Sequence, residues 1–216
     1  MERKETGYKK FLKESFDEIH DRNIRHLIID VRDNEGGKDS RGAMLLAYLM
    51  DTKFRYYDRL EATTDKKYTF AGNARLPRFY GFLRMLISGT DSGTFLWKHS
   101  PNLKVQKPQK EPFTGKVYIL INGASFSVTS EFASVAHYLK RATFIGEETG
   151  GGYYGNNSGT FVIVTLPNSR INLGIPMLAY YTAVKDYPFP DRGVIPDYEI
   201  RPSIQDILNR KDPVLD

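Results

Sequence analysis

The sequence predicts an α/β protein, a mixed β-sheet flanked by helices, and three observations carry that prediction. Apolar residues at helical spacing alternate with short, continuous apolar runs of strand length. A strand, turn, helix order appears over residues 26–50 and again over 116–139. A hairpin signal near residue 168 then calls for antiparallel pairing beside the parallel pairing that strand–helix–strand units produce.

Each element has its own warrant. Tyr8, Phe11, Leu12, Phe16 and Ile19 recur at three- and four-residue intervals behind Thr6, which is the pattern of an amphipathic helix. The run HLIIDV (26–31) carries a continuous apolar stretch and ends at a charged, glycine-containing turn, as a buried strand would. RGAMLLAYLM (41–50) reads as a second helix. Residues 54–61 suggest a strand and 76–87 a helix, followed by a surface excursion rich in glycine and proline. VYILI (117–121) is a buried strand, 127–139 a helix and 142–145 a further short strand. TFVIVTL (160–166) and INLGI (171–175) flank Pro167, Asn168 and Ser169 as a hairpin, and 203–208 close the chain as a short helix.

Composition narrows the class. The 216 residues, 40% of them apolar, suffice for one substantial core, and so for one domain. The formal charge of +5 is spread along the chain. Its densest patch, Lys104, Lys107, Lys110 and Lys116, is broken by Pro and Glu and lacks a recognition motif, so it reads as a solvated linker and no nucleic-acid partner is expected. Having no cysteine, the chain has neither disulfides, nor thiol catalysis, nor cysteine-held metal. No run is long and apolar enough for a membrane span, and MERKETGYKK is too charged for a signal peptide. Nothing in the sequence points to a cofactor or a metal site.

Two segments place small or reactive residues at the end of a strand, where α/β folds build their sites. In LIIDVRDNEGG (27–37), Gly36 and Gly37 suit a tight turn, and equally a loop whose N–H groups face a cleft and hold a developing oxyanion. In residues 119–152, the run LINGASFSVTSEFASVAHYLKRATFIGEETGGG puts Ser125 and Ser127 in the turn between a strand and a helix. A serine there faces the positive end of the helix dipole and suits nucleophilic attack on a carbonyl. From the residues alone, Ser127 or Ser130 is explained as well by helix capping.

Taken together and in order, these runs resemble the C-terminal processing (tail-specific) protease family. LIIDVRDNEGG is similar to the family's strand-and-loop signature, ASFSVTSEFASVAHYLKRATFIGEETGGG to its nucleophile helix and the Gly-Glu-x-Thr turn beyond, and Gly193-Val194-Ile195-Pro196-Asp197 to its Gly-Val-x-Pro-Asp. The resemblance covers residues 27–197. It implies a layered fold of the crotonase and Clp-protease kind and a serine endopeptidase acting on extended or unfolded polypeptides. It places the nucleophile on Ser127 and the oxyanion hole on the backbone N–H of Val128 with that of Gly36 or Gly37. Asp30 and Arg32 read as an ion pair bracing the Gly36–Gly37 loop.

The chain departs from the family at the proton acceptor. Where well-known members carry a lysine, it has Thr149, Gly150, Gly151 and Gly152. Lys140 precedes the second strand and reads as solvated. A branch resembling the tricorn protease core uses an upstream histidine and a downstream acid. Asp191 is the nearest candidate for that acid, ahead of Glu147 and Glu148. His137 lies ten residues along the Ser127 helix, about 15 Å away, and is excluded as a base. His20 and His26 flank the end of the first helix, and His99 is retained only because a loop can fold back over a site.

The expectation is therefore one catalytic domain over 1–216, part of a longer protein whose upstream segment supplies the base and an export signal, with 63–110 as a lid or insertion. Resemblance to the tricorn-like branch implies an extracytoplasmic location. A peptide-binding module that has lost catalysis is the alternative reading, and an acyl-CoA enzyme of crotonase type rests on fold analogy alone. Oligomeric state is open.

Overall fold

The computed structural model describes residues 3–64, 71–75, 80–157 and 159–215. The first part of the chain gives α1 (Arg3–Asp21), β1 (His26–Asp30), α2 (Asp39–Leu49), β2 (Tyr57–Ala62), β3 (Ala74–Arg75), α3 (Tyr80–Met85), β4 (Ile87–Gly89) and β5 (Phe95–Trp97). The second gives β6 (Lys116–Ile121), α4 (Val128–Tyr138), β7 (Thr143–Gly146), β8 (Gly155–Asn156), β9 (Phe161–Thr165), β10 (Asn172–Pro176), β11 (Leu178–Thr182), β12 (Tyr198–Glu199) and α5 (Ile204–Leu208).

The fold is α/β, with parallel and antiparallel pairing segregated into separate sheets. A four-stranded sheet runs β1-β6-β7-β12, with β1 on β6, β6 on β7 and β7 on β12 all parallel. A five-stranded antiparallel sheet runs β4-β5-β2-β11-β8, and a three-stranded one runs β10-β9-β3. The predicted hairpin forms as β9 and β10, with Val164 opposite Leu173. Within 63–110, β4 and β5 join β2 in the five-stranded sheet and β3 pairs with β9; the predicted helix over 76–87 is α3, and residues 65–70 and 76–79 lie outside the described residues.

One face of the parallel sheet carries the main core. Val117, Ile119 and Ile121 of β6 and Phe144 of β7 are buried with Leu12 and Phe16 of α1, Leu46 and Leu49 of α2, and Phe132 and Val135 of α4. Such close-packed burial of aliphatic and aromatic side chains is the main stabilising term of the domain. The opposite face overturns an expectation. HLIIDV is not buried on both sides, because β1 is an edge strand whose Ile28 is 59% exposed, and Tyr198 in β12 is 63% exposed. A continuous apolar run cannot tell a strand covered on two faces from an edge strand covered on one. No helix among the described residues is long and apolar enough to cross a membrane.

Candidate active site

Strand β6 delivers the chain to the site. Past Ile121 the backbone turns through Asn122 to Phe126, and α4 starts at Val128 with Ser127 as its N-cap residue. Ser127 has φ 54° and ψ −126°, a conformation that costs a non-glycine residue roughly 1–3 kcal/mol. A strained strand-to-helix turn of this kind lifts a serine hydroxyl clear of the helix it begins. The capping reading fails for Ser127, whose side chain makes no capping hydrogen bond to α4. Ser130 is equally committed elsewhere, its Oγ donating to the Ser125 carbonyl at 2.8 Å.

The surrounding hydrogen bonds fix this turn against the Gly36–Gly37 loop. Ser125 Oγ donates to the Val31 carbonyl (2.8 Å) and accepts the Asn122 N–H (3.1 Å). Asn122 and Asp33 bond reciprocally, Asp33 N–H to Asn122 Oδ1 at 3.0 Å and Asn122 Nδ2 to Asp33 Oδ1 at 2.9 Å. Asn34 is the central tie: its Oδ1 accepts both the Gly36 N–H (3.0 Å) and Thr129 Oγ1 (2.9 Å), and its carbonyl accepts the Phe126 N–H (3.1 Å). The sequence reading missed Asn34 and Asn122. The readiness of asparagine to bond nearby backbone in turns is the signal by which they could have been found.

Gly36 and Ser127 meet directly. A Cβ on Gly36, whose φ is +101°, would stand 2.8 Å from Ser127 Cβ and 2.9 Å from Val128 N. The two sequence segments therefore converge on one spot at the carboxyl ends of β1 and β6. Val128 is the first residue of α4, so its N–H has no acceptor within the helix. The Gly36 N–H is taken by Asn34, whereas Gly37, at φ +150°, has open space where a side chain would stand. Beside this pair lies a cavity of about 140 Å³ with Tyr8, Val31, Leu45 and Phe132 among its walls and Arg41 at its side. A broader depression of about 1160 Å³ lies at the opposite, amino ends of the parallel strands, near His26, Lys116 and Thr143, away from the end where such sheets place their ligands.

The glycine-rich turn and the Gly193–Asp197 motif form the back of the site. Gly151 packs against Ser130, where any side chain would overlap Ser130 Oγ. Thr149 Oγ1 donates to the Gly151 carbonyl (3.0 Å) and accepts the Val194 N–H (2.8 Å), and Asp197 Oδ2 accepts the Phe144 N–H (2.7 Å). Glu148 pairs with Arg192 and accepts the Gly193 N–H at 2.8 Å, which holds its carboxyl below the usual range. Asp191, beside that pair, is exposed, and Glu147 faces Arg201 at 3.9 Å.

One buried acid lies within a turn of Ser127. Glu131 is 2% exposed; its carboxylate accepts from Tyr57 Oη (2.6 Å) and Asn156 Nδ2 (2.7 Å), so it ties α4 to β2 and β8. Burial pushes its pKa up to about 7, against the two hydrogen bonds that favour the charged form.

The basic residues considered from sequence have other surroundings. His137 is hydrogen-bonded to the Tyr153 hydroxyl (2.9 Å) among Phe144, Tyr153 and Tyr187, and burial lowers its pKa. His99 packs edge-on to Trp97, with ring centres 5.6 Å apart. His20 and His26 line the broad depression, as does Lys140, which follows the far end of α4. The Asp30–Arg32 pair is present at 2.7 Å, but Arg32 also bonds Asp212 through two contacts of 2.8 Å. It anchors the C-terminal segment, while Asn34 braces the glycine loop.

Comparison with known proteins gives the family and the fold. The model of peptidase family S41 matches residues 3–200. The chain belongs to that family. Among solved structures, a candidate peptidase from Parabacteroides merdae is 21% identical with a TM-score of 0.52, over 88% of this chain and 50% of that one. The photosystem II D1 C-terminal processing protease is 18% identical with a TM-score of 0.50, over 92% and 40%. A mutant of CPAF is 16% identical with a TM-score of 0.60, over 94% and 43%. These likenesses show a shared fold with family S41 peptidases, and this chain spans half or less of each of these three structures.

Proposed function

We propose that the chain carries the acyl-transfer centre of a serine peptidase, with Ser127 as nucleophile and the N–H groups of Val128 and Gly37 as oxyanion donors. One observation carries the reading: Ser127 is held in a strained conformation at the start of α4, in contact with Gly36. Ser127 Oγ attacks the carbonyl carbon of the scissile peptide and its proton passes to a base. The carbonyl oxygen gains negative charge between the two N–H donors, and the leaving amine departs with a proton. Water then hydrolyses the ester on Ser127. Gly36 serves by having no side chain, which lets the loop approach the serine.

The substrate of this reading is an extended polypeptide, paired with a sheet edge. Strand β8 is such an edge, and Asn156 on it reaches Glu131 in the nucleophile helix. The base, in this proposal, is supplied from outside the described residues. The surroundings of His20, His26, His137 and Lys140 support that assignment, and Asp191 remains the proposed acid.

A fluorophosphonate probe tests the reading. Displacement of fluoride by Ser127 Oγ leaves a phosphonyl adduct that peptide mapping places on residue 127, and Ser127→Ala abolishes it. An adduct on another serine, or no adduct even in a longer protein containing this chain, rejects the nucleophile and favours the peptide-binding alternative.

A further inference from the structure

The cavity beside Gly37 and Val128 is lined by a guanidinium whose Nε has no hydrogen-bond partner. Arg41 stands in the first turn of α2, its guanidinium carbon 5.4 Å from the centre of the Tyr8 ring. Its Nε is buried and has no hydrogen-bond partner, and Arg41 forms no salt bridge among the described residues. A buried guanidinium N–H left unpaired is costly, and such groups in native proteins are ordinarily satisfied. The cavity walls are mixed: Val31, Leu45, Val128 and Phe132 exclude water on one side, where a charge pairing is strengthened, and Asn34, Lys38 and Thr129 add polar groups, Lys38 a second positive charge. At about 140 Å³ the space is of the order of one side chain.

We infer that this cavity is the subsite for the side chain of the residue whose carbonyl lies between Gly37 and Val128, and that Arg41 makes it select a carboxylate. The inference rests on the proposed oxyanion pair, because a carbonyl held there directs the substituent on its own α-carbon into the adjoining space. An Asp or Glu side chain supplies the missing acceptor for Arg41 with charge-assisted hydrogen bonds. The neutral amides Asn and Gln lack the charge, and an aliphatic side chain leaves Nε unpaired.

Calorimetric titration of the full chain carrying Ser127→Ala decides the matter, using acetylated, C-terminally amidated hexapeptides that differ only in one central residue. The Glu peptide binds at least tenfold more tightly than the Gln or Leu peptide. That advantage shrinks as salt is raised, disappears in Arg41→Gln and survives in part in Arg41→Lys. Equal affinity of the Glu and Gln peptides overturns the inference, and that comparison needs no Arg41 variant. Absence of measurable Glu-peptide binding also overturns it, as does a preference unchanged in Arg41→Gln. A preference seen only when the C-terminus is left as a free carboxylate does so too, by assigning Arg41 to the chain end instead. Fluorophosphonate labelling reads the nucleophile separately, so either conclusion can fail while the other stands.

Discussion

Asn34 holds Gly36 and Thr129 with a single side-chain oxygen, at 3.0 Å and 2.9 Å, and so links the loop after β1 to the first turn of α4. Substituting Asn34→Ala leaves both donors without that acceptor, and the loss is about 1–3 kcal/mol. Urea unfolding measures it, and fluorophosphonate labelling slows in parallel as the loop drifts from the serine. Asn34→Asp keeps an acceptor at the same place and retains most of both properties. A wild-type labelling rate in Asn34→Ala would show that the tie does not position the site.

Gly36→Ala attacks the same junction from the other side. The new methyl group meets the Phe126 carbonyl, Ser127 Cβ and Val128 N within 3 Å, at a φ that L residues rarely adopt. Strain and overlap together destabilise the fold by about 2–4 kcal/mol. Gly37→Ala meets nothing within 4 Å and shares only the conformational penalty. The melting temperatures therefore rank wild type above Gly37→Ala above Gly36→Ala, and a reversed order would contradict the close approach.

Much of this was legible in the sequence, for identifiable reasons. Helices α1 and α2 bury one stripe each, α4 is buried all round from Thr129 to Ala136 and was placed by the strand and turn before it, and the β9–β10 hairpin was marked by Pro167, Asn168 and Ser169. Ser127 and the paired glycines could be placed because three ordered motifs constrain one another. What escaped was whatever depends on a distant partner. Strand β11 finds β2 across more than a hundred residues, Thr149 is completed by Val194, and Arg32 reaches Asp212. The exposed face of β1 escaped too, since LIIDV reads the same with one face covered or two. Arg41 carries no sequence signal, because its distinction is the acceptor it lacks.

Arg32 supplies a separate test. It is held protonated by Asp30 and Asp212, and both carboxyls are pulled below their usual range by its guanidinium. Its side chain is only 16% exposed, so removing it breaks two ion pairs at once. Arg32→Met releases the segment around Asp212, and amide hydrogen exchange of residues 210–215 accelerates while that of β6 stays slow. Labelling at Ser127 persists, because the glycine loop is tied by Asn34. Unchanged exchange at 210–215 would show that the C-terminal segment is anchored by other contacts.

Glu131 makes stability depend on pH with an unusual sign. Its folded pKa of about 7 lies above the ordinary value of 4.5, so between those limits the native state binds more protons than the unfolded chain. Its contribution is complete below about pH 4.5 and is lost as pH rises through 7, a net change on the order of 3 kcal/mol. His137 works in the opposite direction: burial lowers its pKa, so its contribution is present above its ordinary 6.5 and falls away as pH drops below it. The histidine is only half-buried, so Glu131 dominates between pH 5 and 8. Urea midpoints of the wild-type chain therefore fall across that range. Glu131→Gln removes the titration, leaving a midpoint that is flat or rises slightly with pH. A wild-type midpoint that rose between pH 5 and 8 would mean that Tyr57 and Asn156 hold Glu131 ionised throughout.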